Sequence, residues 1–100
     1  MIRHEVLIKF KRQTGAAEVA QAVEQLRTLA AEIPVVESIR VGSSPFDAKG
    51  PSSHCLLVLE VADEAALNQY NSHPTRAKMA QLVSHLAENV AVADLPGEQS

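Results

Sequence analysis

One hundred residues with 46% hydrophobic content and a formal net charge of -3 describe a single small acidic domain with one core. Aromatics are 3%, and the basic residues are scattered apart from Lys9, Lys11 and Arg12, so neither a stacking platform nor a basic stripe for nucleic acid is present. Cys55 is the only cysteine, "MIRHEVLIKFKR" is too short and too charged for a signal peptide, and no apolar run reaches membrane-spanning length; the expectation is a soluble cytoplasmic protein with no internal disulfide and no membrane partner.

Residues 2–11, "IRHEVLIKFK", alternate with period two, so Ile2, His4, Val6, Ile8 and Phe10 share one strongly apolar strand face. Thr14 is placed to cap a helix, and Val19, Val23, Leu26, Ala30 and Ile33 then follow helical spacing from Ala16 to Glu32, where Pro34 ends it. "VVESIRV" (35–41) reads as a second strand and "GSSPFDAKGPSS" (42–53) as a long loop. "HCLLVLEV" (54–61) is a third strand with apolar residues on both faces. Helices cover one face in a chain of this size, so the other is expected to be covered by a second copy of the protein. Cys55 within this run is read as a buried, inert thiol.

Asp63 caps the next helix, with Glu64 in its first turn and Leu67 and Tyr70 one turn apart on one side. His73-Pro74 interrupts it. Pro74 suits the first turn of a new helical piece, capped by Ser72 or His73, with Ala77, Ala80, Val83 and Leu86 or Ala87 turned inward. "ENVAVADL" (88–95) is a last short strand. The order β-α-β-β-α-β predicts an α+β, ferredoxin-like fold: a four-stranded antiparallel sheet with both helices on one face. A single domain over 1–96 and a tail over 97–100 are expected.

"IRHEVLIKFK", "IPVVESIRVG", "ALNQYNSHPTRAKM" and the closing "VADL" together resemble the stress-responsive dimeric α/β-barrel (Dabb) domains, over residues 1–95. The resemblance implies a small homodimer, two sheets packed face to face into a barrel, and a pocket in each subunit between sheet and helices. Many bacterial members have no established activity. One plant member is a cofactor-free polyketide cyclase, with a tyrosine at the position matching Tyr70 and a histidine at the position matching Arg76, in an "HPxH" motif. A histidine matching His4 lines the same pocket. This chain reads "HPTR", and Val35 stands where the family commonly has glycine. Arginine stays protonated and cannot act as a general base near neutral pH, so the cyclase mechanism does not transfer at that position.

The candidate catalytic residues are His4, Tyr70 and His73, and the candidate ligand-binding residues are Val6, Ile8, Val23, Leu57 and Arg76. Each has a structural alternative. Tyr70 serves equally as a core tyrosine, His73 as a helix cap, His4 as a satisfied core histidine, and Arg76 as the partner of Asp63 or Glu64. Asp94 and Asp47 are the carboxylates available to pair with a base. The four histidines, 4, 54, 73 and 85, have no metal-ligand spacing, and His54 and His85 are expected to turn away from the pocket. No metal and no cofactor are expected. Three functions remain: a homodimer that binds a mostly apolar small molecule between sheet and helices; a cofactor-independent enzyme of cyclase, lyase or monooxygenase type acting on a carbonyl or aromatic substrate; and a structural dimer module without ligand. The small residues Ala20, Ala30, Ala66, Ala77 and Ala80 favour space for a ligand over a filled core.

Overall fold

The computed structural model describes residues 1–43 and 54–96. In chain order it comprises β1 (Ile2–Phe10), α1 (Ala16–Ala31), β2 (Val36–Ser43), β3 (His54–Val61), α2 (Glu64–Ser72), α3 (Pro74–Leu86) and β4 (Ala87–Pro96). The four strands form one antiparallel sheet in the order β2-β3-β1-β4. This is the ferredoxin-like α+β arrangement expected from the pattern of elements. No helix among the described residues is long and apolar enough to cross a membrane.

Register sorts the side chains into two faces. His4, Val6 and Ile8 of β1 stand opposite Leu59, Leu57 and Cys55 of β3 and opposite Asp94, Val92 and Val90 of β4. These belong to the helix-facing side, and the β1 and β3 members are buried. Alternation places Glu5, Leu7, Leu56, Val58, Ala91, Ala93 and Leu95 on the other face. Leu7, Leu56 and Leu95 are exposed there, so the second face expected for the third strand is open in the protomer.

α1 contributes Val19, Ala22, Val23, Leu26 and Ala30 to the core, a stripe at helical spacing. Its N-cap is Gly15 rather than Thr14. The Gly15 amide donates to Glu18 Oε1 at 3.2 Å, while the Thr14 amide is taken by the Lys11 carbonyl in the preceding turn. β2 runs to Ser43, so Gly42 and Ser43 extend the strand into the expected loop, and the rest of that loop, with Asp47, lies outside the described residues. α2 is capped by Asp63 as expected, its Oδ1 accepting from the Ala66 amide at 2.9 Å. The inward residues of α3 are Thr75 and Met79, with Leu82, Val83 and Leu86 partly buried against the core; Ala77 is exposed, because the stripe runs through Met79 instead.

Cys55 is 1% exposed in the centre of this core. Burial pushes its thiol from 9.0 up to about 11, against smaller lowering effects of the Gly42 backbone and the Arg27 charge. The unfolded thiol ionises at lower pH than the folded one. The folded state therefore holds its full advantage below pH 9 and loses it as pH rises towards 11, on the order of 2 kcal/mol. Urea unfolding of the Cys55→Ala variant between pH 8 and pH 11 is expected to show a shallower alkaline loss of stability than the parent. An identical slope would mean that this thiol is not the titrating group.

Candidate functional site

The helices do not cover the sheet evenly. Val90 and Val92 of β4 belong to the helix-facing side yet are 40% and 54% exposed. Between them and α3 lies a half-open cavity of about 360 Å³. Val6, Leu57, Val90 and Val92 supply its sheet side, Leu26 its α1 side, and Met79, Ala80, Val83 and Ser84 its α3 side, with Tyr70 and Arg76 among its polar members. The volume is within the usual range for small-molecule sites, about 300–1,000 Å³.

The break between α2 and α3 sets the polar end. His73 is extended (φ -69°, ψ 139°), as a residue before proline prefers, and Pro74 occupies the first turn of α3. His73 serves both helices. Its amide donates to the Tyr70 carbonyl at 3.2 Å, and its Nδ1 accepts from the Thr75 amide at 3.1 Å. His73, a candidate acid or base from the sequence, here caps α3 through Nδ1 and lies outside the cavity lining. The bend aims Tyr70 inward from the end of α2 and Arg76 from the start of α3.

Tyr70 is 1% exposed. Its hydroxyl has one partner among the described residues, the Met79 thioether at 4.0 Å, a weak acceptor. Burial raises its pKa; the neighbouring Arg76 charge opposes this and Asp94 adds to it. At neutral pH Tyr70 is therefore a phenol that donates a hydrogen bond and is no base. The His4 ring lies 5.3 Å from the Tyr70 ring, tilted by 60°, and the Arg76 guanidinium carbon lies 5.8 Å from the Tyr70 centroid in a cation–π contact. Arg76 makes no ion pair among the described residues, and Asp63, one of its expected partners, is engaged as the α2 cap.

His4 is 3% exposed, and its Nδ1 lies 2.5 Å from Asp94 Oδ1. A ring nitrogen that close to a carboxylate carries the proton, which leaves the Nε2 lone pair free in the neutral imidazole. Nε2 is buried with no partner among the described residues, and so is the Arg76 Nε donor. Carboxylate orienting imidazole is the arrangement that serves proton transfer.

Val6, Leu57 and Arg76, expected around a ligand, are brought together in the lining, with Tyr70 beside them. Ile8 and Val23 are not. Both are sealed in the filled core, because the gap opens on the β4 side rather than between α1 and the sheet. His4 stands behind Tyr70 rather than in the lining itself. Of the alanines expected to leave space, Ala80 alone lines the cavity. His54 sits at a groove on the opposite sheet face, and His85 is exposed near the end of α3, both away from the cavity as expected. Sequence reasoning missed Leu26, Met79, Val83, Ser84, Val90 and Val92. The alternation in "NVAVAD" does put Val90, Val92 and Asp94 on one face, and that was the available signal. No cluster of three or more potential metal ligands occurs among the described residues.

Fold and site together define a ferredoxin-like α+β protein with a small-molecule-sized cavity between sheet and helices. The chain belongs to the stress responsive A/B barrel domain (Dabb) family, whose model matches residues 2–96. Among solved structures it is similar to a dimeric ferredoxin-like protein of unknown function from Thermobifida fusca YX (20% identity, TM-score 0.81, covering 94% of this chain and 88% of that one). It is also similar to a hydroxynitrile lyase from Passiflora edulis (15%, 0.82, 99% and 94%) and to a Dabb family protein with a ferredoxin-like fold from Mesorhizobium loti MAFF303099 (20%, 0.80, 98% and 97%). No curated protein matches the sequence.

Proposed function

We propose that this chain is a homodimer that binds a mostly apolar small molecule in the cavity beneath α3. The observation that carries the reading is the exposure of Val90 and Val92 on the helix-facing side of β4, inside an open cavity of about 360 Å³. Apolar side chains left uncovered next to a packed core gain from a ligand the contacts that the protein does not supply. The dimer is supported by the apolar outer face of the sheet and by a structural relative described as dimeric. Calorimetric titration with 1-octanol is expected to show saturable binding that the Ala80→Trp variant loses. Ala80 is exposed on α3 and lines the cavity, so the indole fills the space without entering the core. Equal binding by parent and variant would place the ligand elsewhere and sink this reading.

A second reading, a cofactor-independent enzyme acting on a carbonyl or aromatic substrate, is favoured by the His4–Asp94 pair. Here Asp94 orients the imidazole behind Tyr70, Nε2 takes a proton once the Tyr70 ring moves aside to admit the substrate, and the Tyr70 phenol donates to the oxygen on which negative charge develops. A relative described as a hydroxynitrile lyase is compatible with carbonyl chemistry on this fold. Exchange of the α-protons of 2-octanone in deuterium oxide, followed by NMR, is expected to be accelerated by the protein and to fall by about a hundredfold or more in His4→Ala. An unchanged exchange rate in that variant would remove the enzyme reading and leave the binding one.

A further inference from the structure

Arg3 meets Glu5 at 3.8 Å and Arg27 meets Glu24, two arginines that find a carboxylate among the described residues. Arg76 does not, although it is half-buried and lines the cavity. Its charge rests on the face of Tyr70, and its Nε–H is buried without an acceptor among the described residues. A buried guanidinium donor left without an acceptor carries the full cost of its lost hydration, so the site is incomplete as it stands. In the same lining the Tyr70 hydroxyl is a second donor, whose one partner among the described residues is a thioether. The nearby negative charge, Asp94, is bound to His4 Nδ1 and is not turned to Arg76. Arg76 also lies in the first turn of α3, where the helix dipole favours negative charge, and that turn holds no acidic side chain.

We propose that the cavity selects a monoanionic amphiphile: a carboxylate seated on the Arg76 guanidinium, with its alkyl or aryl body along Val6, Leu57, Val90 and Val92. This rests on the small-molecule reading above and specifies its ligand class. The planar guanidinium matches a carboxylate with two parallel hydrogen bonds, and Tyr70 lines the same cavity as a further donor. Among the described residues the far walls carry no charged side chain, so a dianion or a ligand charged at both ends would leave one charge unpaired.

Octanoate, 1-octanol and octylamine share one chain and differ in head group. By calorimetry at pH 8, octanoate is expected to bind the parent protein about ten- to a hundredfold more tightly than 1-octanol, the usual range for a hydrogen bond to a charged group. Octylamine is expected to bind least. In Arg76→Gln the preference for octanoate over 1-octanol is expected to vanish while 1-octanol still binds. Equal binding of octanoate and 1-octanol by the parent would overturn the anion proposal and leave the small-molecule reading standing. A preference retained in Arg76→Gln would do the same. Binding of none of the three would overturn both. The comparison within the parent needs no variant, so it decides the question even if Arg76→Gln is unstable.

Discussion

Replacing Leu7 and Leu56 together by lysine is expected to turn the protein from a dimer into a monomer at micromolar concentration, while leaving the protomer folded. The two residues are direct neighbours across β1 and β3 on the face opposite the helices, and they are 45% and 41% exposed. Ala91 stands beside Leu7 on β4; Val58 and Ala93 flank Glu5 in the next outward row, and Leu95 pairs with Arg3 beyond. The apolar residues are thus contiguous across three strands. A large apolar side chain contributes about 1.5–3 kcal/mol when it leaves water, and two-fold symmetry counts each change twice. A lysine buried there would add the cost of an unpaired charge. The dissociation constant is expected to rise at least a thousandfold, about 4 kcal/mol. Sedimentation velocity of parent and variant checks it. A parent that sediments as a monomer, or a variant that remains dimeric, would show that this face is not the interface.

The opposite side of the same strand behaves differently. Leu59 is 0% exposed, stands between His4 on β1 and Ile39 on β2, and belongs to the single core. Leu59→Ala removes buried methyl groups where the surrounding sheet cannot collapse, and is expected to cost about 3 kcal/mol. For a domain of this size that corresponds to a fall in Tm of roughly 15 °C. Urea unfolding gives the same quantity, and a loss under about 1 kcal/mol would mean that the core relaxes into the space. Leu56→Ala, three residues away and facing outward, is expected to leave protomer stability nearly unchanged and to weaken assembly instead. The pair therefore separates folding from association within one strand.

Much of this was legible in the residues. Period-two alternation assigned His4, Val6 and Ile8 to one face and Leu7 to the other, because a strand turns each successive side chain over. Helical spacing marked Val19, Val23 and Leu26 as the core stripe of α1, and Asp63 and His73-Pro74 announced the ends of helices through their own local hydrogen bonding and fixed φ. The bend in "ALNQYNSHPTRAKM" was visible for the same reason. Within the elements, the miss was local. The cap falls at Gly15 rather than Thr14: the Thr14 amide closes the preceding turn, and the Gly15 amide is the one that meets the Glu18 carboxylate.

By itself, then, the sequence determined the element order, the inward and outward faces, the helix break and the family. These depend on neighbours a few residues apart. Tertiary structure alone decided the site. Asp94 reaches His4 across 90 residues because the strand order seats β4 beside β1, and no pattern within either strand specifies that pairing. Arg76 rests on Tyr70 rather than on Asp63 or Glu64 because the bend turns the start of α3 towards the cavity. The cavity itself exists because the helices pack towards β2, β3 and β1 and leave the valines of β4 uncovered. How far a packed layer extends over a sheet is a property of the whole assembly of side chains, and no segment of the chain records it.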